Sequence, residues 1–206
     1  MAVDHLLLDC DGVLQQVGGD GWRAEIQRRL GDHADAFVHA VDELEAPALC
    51  GEADFPAGLD AVLADFDVDL DAAELYAGLW ESITVRPEAW DVAREAAGAG
   101  LGIHLATNQH PRRAALMRRT LGYEQIADGA FYSCELGVAK PEVAFFEVVL
   151  ERLGAPRPES VAFVDDSRRN VEAAAGLGLR AVQWHLDEGG AQLRSRLREV
   201  GLPLAD

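Results

Sequence analysis

Three short runs that stop abruptly on polar residues constrain this chain more than any other feature. They are "VDHLLLD" (3–9), "LGIHLATN" (101–108) and "VAFVDD" (161–166). Each is short, mostly apolar, and followed by turn or helix-start residues, which predicts strands buried on both faces. A fourth run, "LRAVQWH" (179–185), is similar. Helical patterns separate them. "PRRAALMRRTLG" (111–122) opens with proline at a first helical position and ends in glycine. "PEVAFFEVVLERLG" (141–154) repeats that design, and "SRRNVEAAAGLG" (167–178) begins with a serine able to cap its own helix. Alternating strands and helices predict an α/β fold, a Rossmann-like parallel sheet with helices on both faces.

Residues 18–86 break the alternation. Ala34, Phe37, Val38, Val41 and Leu44 recur at helical spacing, as do Leu59, Val62, Leu63 and Phe66, and then Leu75, Leu79, Trp80 and Ile83. No convincing strand is legible there. The expectation is a small α-helical domain over 18–86, inserted into a core domain made of 1–17 and 87–206. A chain of 206 residues, 49% hydrophobic, can bury one sizeable core and a smaller accessory one. The aromatics of the insert are expected to form its own core.

The net charge of -18 argues against wrapping nucleic acid or binding an anionic membrane surface. No apolar run approaches the ~20 residues of a membrane span. Three widely spaced cysteines, and no basic segment leading into an apolar stretch at the start, suggest a reducing compartment, so a cytoplasmic location is expected. An acidic protein repels anions, so any anion site must carry local positive charge. Of the 18 basic residues Lys140 is the one lysine; the rest are arginines.

Ligands of open parallel sheets bind beyond the carboxyl ends of the strands. Asp9 and Asp11, Thr107 and Asn108, and Asp165 and Asp166 should therefore converge, with Lys140 at another helix start. Each has an ordinary structural use: Asp11-Gly12 as a turn, Asn108 or Asp165-Asp166-Ser167 as helix caps. Together, and with the lone lysine, they read as a site.

These segments resemble the haloacid dehalogenase-like hydrolases. "DCDGVL" resembles the family's first motif, two aspartates separated by one residue after an apolar strand. "ATN" is similar to the second motif, "KP" to the third and "VDD" to the fourth. The insert resembles the helical cap of the subfamily that includes sugar phosphatases, phosphoglucomutases and haloacid dehalogenases. "CGE" (50–52) and "RPE" (86–88) resemble sugar-phosphate phosphatases of the glucose-1-phosphate type.

The resemblance implies roles. Asp9 would be the nucleophile that forms an aspartyl-phosphate. Mg²⁺ would be held by the carboxylates of Asp9 and Asp166 and the Asp11 backbone carbonyl. Asp165 would bind through water or support the ligands, and could exchange roles with Asp166. Asp11 would be the general acid and then the base. Thr107, the Asn108 backbone N–H and Lys140 would hold the phosphoryl oxygens. Dehalogenases of this family lack an aspartate at the position of Asp11, because a halide leaves without a proton. The expected activity is thus a Mg²⁺-dependent phosphatase acting on a small phosphorylated metabolite, as a monomer or small homo-oligomer. A phosphomutase and a haloacid dehalogenase-type hydrolase on the same core are the alternatives. Phospho-accepting signalling domains share the chemistry but lack an inserted cap and carry the acceptor on an internal strand. Gln16, Trp22 and Arg86 flank the insert and could face the cleft; His5 and His110 are expected to be structural.

Overall fold

The computed structural model describes residues 2–18 and 22–205; the side chains of Trp22, Arg23 and Glu124 lie outside that description. Its strands are β1 (His5–Leu8), β2 (Gln15–Val17), β3 (Ile83–Val85), β4 (Gly102–Thr107), β5 (Gly129–Tyr132), β6 (Val161–Asp165) and β7 (Arg180–Gln183). Five of them form one parallel sheet in the order β5-β4-β1-β6-β7. Successive side chains on a strand alternate between faces. Leu6 and Leu8 pack with Ile103, Leu105 and Val164 beneath Trp90, Met117 and Leu193. Leu7 points the other way, into a cluster with Phe145, Phe146, Phe163 and Ala174. The two faces explain the unbroken leucines of β1, since every position is inside.

The topology positions the site. β1 is central, with Leu8 opposite both Leu105 and Val164. The chain runs from β1 through β4 to β5, then crosses back to β6 on the other side. Such a reversal opens a crevice at the carboxyl edge of the sheet. Asp9 leaves β1 there, its N–H on the Val164 carbonyl at 2.9 Å.

The helical unit has its own apolar cluster, which includes Phe37, Val41, Phe55, Leu59, Leu63, Leu75 and Tyr76. Its residues sit on helices Trp22–Leu30, Ala34–Leu49, Phe55–Asp65 and Ala72–Tyr76. Asp54 and Asp71 cap the last two, accepting from the Ala57 and Glu74 N–H groups. Val38 departs from the expected apolar stripe and is 44% exposed, because Ala34, Phe37, Val41 and Ala48 define a face that leaves it at the edge.

Four local expectations are corrected. A strand does exist within 18–86: β3 pairs antiparallel with β2, Gln15 opposite Val85 and Val17 opposite Ile83. Ile83 therefore belongs to a strand and not to a helix. The ribbon is only three residues deep and its halves are far apart in sequence, so no periodicity reveals it. The helix after Lys140 begins at Val143, with Glu142 rather than Pro141 at its boundary. The Ser167 side chain makes no capping bond; its N–H donates to Asp165 Oδ1 at 2.8 Å.

Candidate active site

Lys140 organises the carboxyl edge. Its Nζ lies 2.9 Å from Asp9 Oδ1 and donates to Asp165 Oδ2 at 2.6 Å and to the Ala106 carbonyl at 2.8 Å. All three ammonium protons are thus used by groups at the ends of three adjacent strands. The side chain is 1% exposed. Burial pushes the Lys140 ammonium down, but Asp9 and Asp165 outweigh it and hold the group above its ordinary value. Asn108 fixes the loop that carries this lysine: its Nδ2 donates to the Lys140 carbonyl and its Oδ1 accepts from the Lys140 N–H, both at 2.9 Å.

One lysine cannot neutralise the acids around it. Asp9, Asp165 and Asp166 bring carboxylate oxygens within 4.8 Å of one another. Burial pushes the Asp9 carboxyl up to about 7, against the pull of Lys140, with Asp165 and Asp11 adding to the rise. The lysine's charge is shared with Asp165, so it does not offset the desolvation of Asp9. Asp166 is also raised, by burial and then by Asp165.

The two neighbouring aspartates differ in their commitments. Asp165 is fully buried and saturated: besides Lys140 it accepts from the Ser167 N–H and from Asn170 Nδ2 at 3.0 and 3.1 Å. Asp166 is half-buried, and its Oδ2 faces Gly12, whose φ is +76°. A Cβ at Gly12 would stand 2.5 Å from that oxygen. Glycine permits both the turn and the approach of the carboxylate. Three hard anionic oxygens with a charge surplus suit a divalent cation of the Mg²⁺ type.

Asp11 is held differently. Its carboxylate accepts both arms of the Arg113 guanidinium, at 2.5 and 2.6 Å, with Gln15 Nε2 at 2.7 Å and Gln109 Nε2 at 3.0 Å. Burial raises the Asp11 carboxyl, and the Arg113 charge and hydrogen bonds overcome that and hold it below its usual range. Gln109 Nε2 also donates to Thr107 Oγ1 at 3.0 Å, and Thr107 is buried.

Asp9, Asp11, Asn108, Lys140 and Asp166 share a cavity of about 560 Å³, with Gln16 from the ribbon at its wall. Arg86 Nη1 donates to Gln16 Oε1 at 3.3 Å from behind. A larger cavity of about 790 Å³ lies between the helical unit and Pro111–Arg112, away from the acidic cluster. His110 borders it, buried, with Nδ1 3.1 Å from the Tyr76 hydroxyl and Nε2 3.7 Å from Glu45. His5 stands outside the site, beside His104 at 3.2 Å. Trp22 falls outside the described side chains.

Arg113, Gln109, Gln15 and Asn170 were not legible as site residues. Arg113 sits in "PRRAALMRR", where any arginine reads as solvated. The one usable signal was its place on the first turn after a strand that ends at the site.

Comparison with known proteins gives the family and the fold. The sequence profile of the haloacid dehalogenase-like hydrolases matches residues 3–178, and the chain belongs to that family. A HAD family enzyme of Bacteroides thetaiotaomicron, solved also with magnesium and inorganic phosphate, superposes with a TM-score of 0.76 at 19% identity, covering 94% of this chain and 99% of the other. L-2-haloacid dehalogenase from Xanthobacter autotrophicus shares the fold at a TM-score of 0.63 and 22% identity, over 88% of this chain and 77% of that one. In sequence, a sesquiterpene phosphatase of Aspergillus oryzae is 33% identical over 120 residues, 57% of this chain and 59% of the relative. A drimenol cyclase of Aspergillus calidoustus is 45% identical over 58 residues, 28% of this chain and 11% of the relative. The chain spans less than two thirds of either curated relative. Among the described residues no helix is long and apolar enough to cross a membrane.

Proposed function

We propose that this hydrolase is a Mg²⁺-dependent phosphatase of small phosphorylated metabolites, working through an aspartyl-phosphate on Asp9. The observation that carries the reading is the contact set of Lys140, which presents Asp9 at the cavity floor beside Asp165 and Asp166. A carboxylate oxygen of Asp9 attacks phosphorus as the bond to the leaving oxygen breaks. Protonated Asp11 gives its proton to that oxygen. Water then attacks the phosphoryl group, its proton passes to Asp11, and phosphate departs from Asp9. Thr107, the Asn108 N–H and Lys140 hold the phosphoryl oxygens. Asp9, Asp166 and the Asp11 backbone carbonyl would hold Mg²⁺, with Asp165 in support because its oxygens are already taken. The ion, when bound, screens the charge between a carboxylate nucleophile and an anionic substrate.

The helical unit, 18–86, serves as the cap over the core made of 1–17 and 87–206. Its closure would exclude water and select the substrate. The sesquiterpene phosphatase likeness adds terpenyl phosphates to the sugar phosphates as candidates. The dehalogenase and phosphomutase readings are less well supported. Asp11 and the Asp165–Asp166 pair have no use in releasing a halide, and among the described residues no contact that would retain a bisphosphate intermediate is identifiable. The test is hydrolysis across a panel of sugar, terpenyl and aryl phosphates with and without Mg²⁺. The proposal expects turnover that chelation abolishes and Mg²⁺ restores. Full activity after exhaustive chelation would overturn it.

A further inference from the structure

We infer that Arg113 is a positioning residue for the water-attack half of the reaction, acting through Asp11. This rests on the phosphatase reading above. Asp11 has two tasks in that reading, and they need opposite forms of one side chain. As an acid it must carry a proton, and as a base it must be a carboxylate held where it can take one from water. The observed arrangement is that of the base. The guanidinium of Arg113 forks onto both oxygens at 2.5 and 2.6 Å, a geometry a carboxylate accepts and a protonated carboxyl does not. Gln15 and Gln109 add one N–H to each oxygen. Four donors fix both the rotation and the tilt of the carboxylate.

Arg113 is itself fixed. Its side chain is 6% exposed, and it rises from the first turn of helix Pro111–Thr120, directly after the strand that carries Thr107. Gln15 is held in turn by the Tyr123 hydroxyl. The clamp is therefore a rigid extension of the sheet edge. The Asp11 side chain keeps 34% of its surface open, and it lines the cavity beside Asp9. Both oxygens are gripped, so water that approaches the phosphorylated Asp9 from the cavity reaches Asp11 by displacing a neutral glutamine donor, while the Arg113 fork holds the carboxylate in place. In this step the water O–H bond breaks, the proton goes to Asp11, the oxygen bonds to phosphorus, and the P–O bond to Asp9 breaks.

A residue that aims only the base affects only the second half-reaction. For 2,4-dinitrophenyl phosphate the leaving group needs no proton, and kcat/KM reports steps up to its departure. In Arg113→Met, kcat/KM on this substrate should stay within about threefold of wild type. A misplacement near 1 Å costs about 10²-fold, so kcat should fall by about that factor. KM should fall in parallel, and acid-quenched steady-state enzyme should carry more phosphoryl group on Asp9. Arg113→Lys keeps the charge but loses the fork, and should recover only part of kcat. Circular dichroism and the thermal midpoint check that each variant folds.

Equal losses in kcat and kcat/KM in folded variants would mean a merely structural arginine and overturn the inference. So would an unchanged kcat. Wild type that does not turn over 2,4-dinitrophenyl phosphate, or that carries the phosphoryl group on a residue other than Asp9, would instead defeat the phosphatase reading itself, before any variant is compared.

Discussion

Lys140→Met should cost about 3–5 kcal/mol of stability in metal-free buffer near pH 8. The substitution keeps the length of the side chain and removes its charge. The ammonium lies 2.6 Å from Asp165 and 2.9 Å from Asp9, and those residues are 0% and 7% exposed. Removing one member of such a buried set leaves uncompensated carboxylates, whose typical penalty is about 3–5 kcal/mol. The pH dependence has a definite sign. Asp9 has a folded-state pKa raised to about 7 from 3.8, so it favours folding below its unfolded value, and that stability is lost as pH rises through the folded one. Without Lys140 the Asp9 value rises further, so the penalty should be larger near pH 8 than near pH 5. Urea unfolding of wild type and variant at both pH values measures this. A difference under about 1 kcal/mol, or one independent of pH, would refute the reasoning.

Three further outcomes follow from the same geometry. Lys140→Arg should remain folded yet lose about 10²-fold or more in kcat/KM, because a planar fork cannot reproduce three contacts made by one point charge; near-wild-type kinetics would remove Lys140 from the site. Gly12→Ala should lose about 1–2 kcal/mol from its left-handed backbone and bind Mg²⁺ more weakly in calorimetry, since the added Cβ meets Asp166 Oδ2 at 2.5 Å; unchanged binding would mean Asp166 is not a ligand. Burial and the neighbouring Arg113 lower His110 to about 4, so the unfolded chain takes up its proton first as pH falls from 6.5, and wild type should lose about 3 kcal/mol more than His110→Phe between pH 7 and pH 4; parallel unfolding curves would contradict this.

The candidate site was legible where the chain marks it with abrupt chemistry. Asp9 ends an apolar strand, Asp165 and Asp166 end another, and Lys140 stands alone in a chain that otherwise uses arginine. Such contrasts survive without coordinates because buried strands leave no room for charge except at their ends. Arg113 carries no contrast: only the packing of its helix against β1 and β4 turns one of several arginines inward. Gln15 and Gln109 are equally silent, because an amide becomes a clamp only when a carboxylate is brought to it. β5 is a four-residue run opening on glycine, and β2 and β3 are three residues each, too short for a period to register. Val38 fits a helical stripe on paper, yet its burial depended on which neighbours the helix met.

The central claim is that Asp9 becomes covalently phosphorylated during turnover. The most direct measurement is acid quench of wild type turning over an aryl phosphate with Mg²⁺, followed by peptide mass spectrometry. The account predicts one phosphoryl group on the peptide containing Asp9, absent from Asp9→Asn, which should stay folded and inactive. A phosphoryl group on a serine or histidine, or turnover by Asp9→Asn at the wild-type rate, would contradict it.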